Sequence, residues 1–404
     1  MRRRAPRGGL SGAPMKITRI ELLPLSSPLK HPISMREETL RTIDGVVIRI
    51  HTDAGLVGLG DTGNTSPWYR GETQESVMAI IAKVFAPLCL LGQDPTSIER
   101  IVARMDFVAR DNNQAKCLVD CALHDIKGKA LGVPVYQLLG GKSVDRVRLG
   151  WVMSADQPDD AVTMARRAVA EGFDLLKLKT GGGTFEDDLR MIAAVREAVG
   201  EDVEMFIDVN GHWRYDEALA KLRRLEPFRL SLVEQPLAPW DIDGLARLRG
   251  KVGTPIYADE AAQELADLHR IIDKDAVDGL MLKVPKAGGL LKSQRWITLA
   301  QSAGYVVMCG CMAGSGLEAA AFTHLLAANA WASQFKHENL GPLHIHDVFN
   351  TVDAPITDDI ALNVPRYQGG YVYPTETPGL GVELNEDAVA RLGTPGMAPW
   401  TVEA

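Results

Sequence analysis

The sequence predicts an α/β protein in which an α+β domain leads into a (β/α) barrel. Three observations carry this reading. Asp208, Glu234, Asp259 and Lys283 follow one another at intervals of 26, 25 and 24 residues, and each ends a short apolar run: MFID, LVE, IYAD, LMLK. An interval of about 25 residues is what one strand, one helix and two loops consume. Strand-like and helix-like segments then alternate for roughly 190 residues from Val147, whereas strands followed by a block of helices precede them. A doubly wound sheet would also alternate, but eight units in series favour a barrel.

The elements follow in order. Residues 1–14, MRRRAPRGGLSGAP, hold no apolar run and are expected to form a disordered extension rather than a secretory signal. From Lys16, ITRIELLPL alternates, and GVVIRIHT with DAGLVGLG reads as a hairpin turning at Asp53-Ala54-Gly55. Polar loops are expected at Ser26–Arg41 and Asp61–Thr73. Helical periodicity follows in SVMAIIAKVFAPLCLL, SIERIVARMDFVAR and QAKCLVDCALHDIKGKALG. The barrel strands are placed at VRLGWVM, LLKLKTG, VEMFIDVN, LSLVEQP, PIYADE, GLMLKVP and YVVMCGC, with a weaker eighth near SQFKHENLG. The expected division is an α+β domain over 15–140, a barrel over 141–345 and a Pro- and Gly-punctuated segment, 346–404, packing back on the first domain.

The chain has 404 residues, 46% hydrophobic and 24% charged, as in ordinary soluble proteins. Its net charge of −8 gives no basic footprint for nucleic acid. No apolar stretch approaches the ~20 residues of a membrane span. The five cysteines are few and scattered, which fits reduced thiols and a cytoplasmic protein. Cys309 and Cys311 lack the second Cys or His pair a zinc site would need.

In a barrel the active site lies at the C-terminal ends of the strands. Asp208, Glu234 and Asp259 would converge there, and three oxygen donors without Cys or His suit a hard divalent ion, Mg²⁺ first and Mn²⁺ as an alternative. A single acid there could instead cap the next helix; three in register, flanked by lysines, argue for a shared role. Residues two apart on a strand share a face, which pairs Lys177 with Lys179 and Asp208 with Asn210. Beside a metal, a lysine could remove the proton α to a substrate carboxylate. Free lysine, with pKa ~10.4, is a poor base at neutral pH, and burial or a neighbouring positive charge would have to lower it.

These residues together resemble the enolase superfamily, in particular its muconate-lactonizing-enzyme subgroup. The motifs are KLK at 177–179, DVN at 208–210, EQP at 234–236, ADE at 258–260 and KVPKAGG at 283–289, with CALHDIKGKALGVPVYQLLGG as the lead-in, and the likeness spans roughly Met15 to Val382. The resemblance implies a modified TIM barrel, (β/α)₇β, with an α+β capping domain. It implies Asp208, Glu234 and Asp259 as Mg²⁺ ligands and Lys179 and Lys283 as the acid/base pair. Lys177 would tune Lys179, and Glu260 would orient Lys283. Two loops of the capping domain, Ser26–Arg41 and Asp61–Thr73, would set specificity, making Trp68, Tyr69 and Asn210 candidate substrate contacts. A small carboxylic acid is the expected partner, and an oligomer of identical chains is expected by analogy.

The chain departs from that pattern at two places. Gly60-Asp61 stands where Gly-Glu is frequent, and CMAGSGLEAA puts Gly314 where a glutamate is frequent, with Glu318 a turn later. No histidine ends the seventh strand, which argues against the mandelate-racemase subgroup, and HIHD at 344–347 reads as capping-domain structure, with a substrate contact as the lesser alternative. The first expectation is racemisation or epimerisation of an amino acid derivative. Cycloisomerisation of muconate type and dehydration of a hydroxy acid follow, and a non-catalytic acid-binding protein is the remote alternative. The absence of a DxD near the last strand makes dipeptides the less expected substrates.

Overall fold

The computed structural model describes residues 15–35, 38–153, 157–181 and 183–404; the expected N-terminal extension lies outside these. The first sheet is antiparallel, in the order C-terminal strand Trp400–Glu403, β1 (Ile17–Met35), β2 (Glu38–Thr52), β3 (Val57–Asp61). Alternation sets its faces: Val46, Ile48 and Ile50 turn inward together with Ile20 and Leu22. They pack on helices 74–80, 98–108 and 113–131 through Val77, Met78, Ile101, Met105, Leu118 and Ala122. The hairpin turns at Gly55, whose φ of 76° favours glycine.

The loop expected at Ser26–Arg41 is not a loop among the described residues. β1 and β2 continue as a ribbon, pairing Pro28 with Thr42 and Ile33 with Leu40 around an irregularity. Pro28 and Pro32 suggested a break. The C-terminal strand pairs with β1 at Arg19–Leu22 and residues 392–394 bond to it at Pro24–Ser26, so from Pro28 onward β1 is an edge among the described residues, where proline is tolerated. The expected loop at Asp61–Thr73 is present, interrupted by one helical turn, Pro67–Arg70.

The barrel begins after β4 (Val147–Arg148). Seven parallel strands follow in chain order: β5 (Trp151–Met153), β6 (Leu175–Lys179), β7 (Glu204–Asp208), β8 (Leu232–Glu234), β9 (Ile256–Ala258), β10 (Gly279–Leu282) and β11 (Val306–Cys309). VRLGWVM, expected as one strand, is split. β4 pairs with Tyr371–Tyr373 below the barrel, and at Gly150 a Cβ would come within 2.8 Å of Leu175. The final segment therefore divides, one part under the barrel and one part in the first sheet.

The weak eighth strand shrinks to two residues. His337 bridges to Leu149 and Glu338 to Gly310, both in parallel sense, joining the two ends of the sheet. Inside, Leu175, Phe206, Leu232, Tyr257, Met281 and Met308 form an apolar plug.

His337 pins the closing bridge. Its Nδ1 accepts the Cys309 N–H at 3.0 Å and its Nε2 faces the Ala332 carbonyl at 3.0 Å, so the neutral ring fits with Nε2 protonated. Burial pushes it from 6.5 down to about 4. The unfolded chain takes up this proton first, so the stability it contributes is complete above 6.5 and is lost as pH falls toward about 4. His337→Asn should lower stability and flatten the acid side of the profile by about one proton, read by urea unfolding between pH ~7 and ~4.5.

Candidate active site

Two residues beyond each plug residue, on the same strand face, stands a member of a polar layer. Lys177 follows Leu175, Asp208 follows Phe206, Glu234 follows Leu232, Asp259 follows Tyr257 and Lys283 follows Met281. Gly310 follows Met308, and a Cβ there would come within 3.0 Å of the Lys283 side chain. Strand pairing sets Lys179 beside Asp208 and Asp208 beside Glu234.

The ammonium groups organise the carboxylates. Lys177 Nζ lies 2.8 Å from Glu234, 3.1 Å from Asp208 and 3.1 Å from Glu338. Lys179 Nζ donates to Asp208 at 2.6 Å and to Asn210 at 3.3 Å. Lys283 reaches Asp259 Oδ2 at 2.8 Å, while Lys286, fully buried, takes Asp259 Oδ1 at 2.7 Å and the Met281 carbonyl. Burial alone would raise the Asp208 and Asp259 carboxyls; their lysines outweigh it and hold both well below the usual carboxylate range. Glu234 goes the other way, raised by burial and by Asp208 despite Lys177.

Burial was expected to lower a lysine here, and at Lys283 and Lys177 the carboxylates outweigh it. Burial does pull both down, but Asp259, Glu234 and Glu260 around Lys283, and Asp208, Glu234 and Glu338 around Lys177, push both up. Lys286 is the lysine held low, by burial and by Lys283 against the pull of Asp259.

The three acids share the mouth of the barrel. They do not gather around one vacant point: among the described residues no three carboxylate, imidazole or thiol groups are disposed to hold a metal ion as they stand. Lys177 lies between Asp208 and Glu234, and Lys283 and Lys286 hold Asp259. The donor set still fits a hard cation. All donors are oxygen, and Glu234 Oε1, Glu260 Oε2 and Glu338 Oε1 are buried without a partner. Asp208, Glu234, Asp259, Glu260 and Glu338 outnumber the four lysines among them, and burial with mutual repulsion raises Glu234 and Glu260, the strain a bound cation would relieve.

Glu260 was expected to orient Lys283. Its hydrogen bond comes instead from Asn210 Nδ2 at 3.0 Å, so Glu260 acts on Lys283 by charge; burial and then Asp259 raise it to about 7. Asn210 adopts φ 47° just past β7, its N–H donating to Asp208 at 2.9 Å. Above the charged floor lies a pocket of ≈690 Å³ counting its mouth. Lys177, Lys179, Lys283, Asn210 and Glu338 face it, walled by Ile33, Leu40, Trp68, Tyr69, Val152 and Met312. Tyr69 is also structural: its hydroxyl donates to Asp259 at 2.8 Å and its ring lies 4.3 Å from Lys283 Nζ.

Three residues escaped the sequence reading. Glu338 sits on the vestigial strand, Lys286 on a single helical turn, and Gln235 accepts the Asp259 and Ala261 N–H groups at 2.9 and 3.1 Å. The Gln of EQP and the second Lys of KVPKAGG were the available signals. HIHD was expected first as capping structure and second as a substrate contact; helix Gly341–His346 starts just past the closing bridge and sets His344 in the pocket wall.

Comparison with known families decides the assignment. Residues 19–140 match the N-terminal domain of mandelate racemase / muconate lactonizing enzyme, and residues 160–388 match the enolase C-terminal domain-like family. The chain belongs to the mandelate racemase/muconate lactonizing enzyme family. Its fold is accordingly the family's modified TIM barrel with an N-terminal capping domain. A family protein from Azoarcus sp. EbN1 is 58% identical, with a TM-score of 0.91 over 96% of this chain and 100% of that one. The N-succinyl-L-Arg/Lys racemase of Bacillus cereus is 31% identical over 94% of this chain and 98% of its own length. A chloromuconate cycloisomerase of Pseudomonas putida is 29% identical over 95% and 100%. The family relatives named here as racemase and cycloisomerase are isomerases, and this chain falls in that enzyme class.

The capping loop is tied to the barrel by Asp61. One oxygen accepts the Gly63 N–H at 2.9 Å, the other the Ser315 N–H and hydroxyl at 2.9 and 2.6 Å. Asp61→Ala leaves those donors unpaired and should cost about 1–3 kcal/mol. Hydrogen exchange should speed up at 312–315 before the barrel core is affected.

Proposed function

We propose that this protein carries out Mg²⁺-dependent removal and return of the proton α to a carboxylate, as a racemase or epimerase of an amino acid derivative. The observation that carries the reading is that Lys179 and Lys283, from β6 and the end of β10, face one pocket from separate sides of the barrel. A substrate between them presents one face of its α-carbon to each amine. Lys179, as the free amine, takes the proton; the C–H electron pair passes into the carboxylate, giving an enediolate; Lys283, as the ammonium, returns a proton to the other face. Lys177 adds fixed positive charge beside the substrate carboxylate. Asp208, Glu234 and Asp259 are the residues that would hold Mg²⁺, which when bound supplies a Lewis acid for the substrate carboxylate. The relatives support an amino acid derivative as substrate, since one of them is named for N-succinylated arginine and lysine. We also read the protein as a cytosolic assembly of identical chains.

The unequal surroundings of the two lysines favour a second reading. Lys283 is held as a cation by Asp259, Glu234 and Glu260 and lies against Tyr69, whereas among the described residues Lys179 hydrogen-bonds to Asp208 and Asn210. One working base with a fixed cation opposite is the arrangement for cycloisomerisation or dehydration.

Incubation with Mg²⁺ and a panel of N-acylated amino acids in D₂O separates the two. The proposal predicts deuterium at the α-carbon. Lys179→Ala and Lys283→Ala should each abolish exchange from one enantiomer, slowing it by about 10²–10⁴-fold. If only one lysine matters, epimerisation gives way to the one-base reactions. Separately, saturating Mg²⁺ at about 100 Kd should stabilise the protein by about 2.7 kcal/mol. Asp208→Asn should remove most of that thermal shift, and an unchanged shift contradicts the ligand assignment.

A further inference from the structure

The pocket over the lysines does not end at its apolar wall. Ile33, Val152 and His344 also line an outer chamber of ≈440 Å³ with its mouth, which Trp151, Met164 and Leu343 help to bound. His344 stands at the junction of the two. Trp151 meets its ring edge-on, with centroids 4.9 Å apart at 85°. The ring hydrogen-bonds to the Val152 backbone, yet Nε2 is buried and has no partner. A buried polar atom without a partner is costly to leave so. Burial pushes the imidazole down to about 4, so it is neutral at physiological pH. A neutral ring that gives its Nδ1 proton to a carbonyl presents only a lone pair at Nε2, so it accepts a hydrogen bond and cannot donate one. The carboxylate of the outer chamber is already engaged: Asp347 lies 3.2 Å from His31 and 3.7 Å from Arg167.

We propose that His344 is a specificity-determining residue that accepts a hydrogen bond through Nε2 from a neutral donor, an amide N–H or a hydroxyl, carried by the substrate beyond its α-carbon. The distal part of the substrate then runs past His344 into the outer chamber. The carboxylate end of this placement rests on the proton-abstraction reading above. The substrate class is thereby narrowed to N-acyl amino acids whose side chain carries an uncharged donor.

The test uses two probes with the full-length protein and Mg²⁺: N-acetylglutamine, and the same acid with its side-chain amide nitrogen dimethylated so that no N–H remains. Binding is measured by calorimetry and α-exchange by deuterium incorporation. The wild type should prefer the first probe by about 10-fold or more in binding. His344→Phe, which keeps a flat ring against Trp151, should bring the ratio to about one without weakening the dimethylated acid. His344→Gln, which restores an acceptor, should recover part of the preference and guards against a folding defect in the Phe variant. An equal preference in wild type and His344→Phe overturns the proposal, as does a wild type that shows no preference or binds neither acid. If the binding preference depends on His344 but no deuterium enters, His344 keeps its role and the proton-abstraction reading falls.

Discussion

A layer of charge resting on a layer of hydrocarbon is the constraint from which the rest of this structure follows. Leu175, Phe206, Leu232, Tyr257, Met281 and Met308 close the barrel interior to water. The next inward position of the same strands carries Lys177, Asp208, Glu234, Asp259 and Lys283. Burying an isolated carboxylate is prohibitive; burying it against an ammonium 2.6–3.1 Å away is tolerable, and the interleaving of lysines and acids follows from that. The interleaving is incomplete. Among the described residues, carboxylate oxygens of Glu234, Glu260 and Glu338 remain without partners, and these are the atoms the proposed cation would satisfy.

The first domain completes this layer as well as covering it. Tyr69 donates to Asp259, Arg70 pairs with Gln263 beyond β9, and Asp61 holds the loop that follows β11. Asn64 reinforces the same seam by donating its N–H to the Met312 carbonyl at 2.8 Å. The hairpin of β1 and β2 reaches over the pocket with Ile33 and Leu40, so the cap adds to an apolar wall that Val152 and Met312 begin, while the charge comes from the barrel. On the barrel side Glu318 accepts the Met312 and Gly314 N–H groups at 2.9 and 2.6 Å. The glutamate displaced by a turn in the sequence thus braces the loop that the cap locks onto.

Most of the barrel was legible because strand ends repeat at a nearly constant interval and because charge after an apolar run has few structural explanations. The ligand-type acids and the lysines of KLK stood out on that ground. What was not legible lacked either periodicity or contrast. Glu338 follows no apolar run, because its strand is reduced to a bridge held by the backbone of 337–338. Lys286 lies one helical turn past Lys283, in a sequence context that suits a surface lysine as well as a buried one; only the fold brings Asp259 and the Met281 carbonyl to it. The ribbon at 26–41 was hidden by prolines whose tolerance depends on β1 being an edge there, and that is a property of sheet order. The surroundings of Lys283 were hidden for a related reason. Sequence reveals which charges are near in the chain, whereas Lys283 is governed by carboxylates from β8 and the end of β9.

The central claim is that the carboxylates at the ends of β7, β8 and β9 form one cation site whose charge the lysines now only partly offset. Anomalous diffraction from crystals grown with Mn²⁺ addresses it without reference to any substrate. The account predicts a single strong peak within about 2.0–2.3 Å of oxygens from Asp208, Glu234 and Asp259, with Lys177 displaced from between the first two. A peak bound elsewhere, or none at saturating Mn²⁺ with the lysine–carboxylate pairs intact, would contradict it.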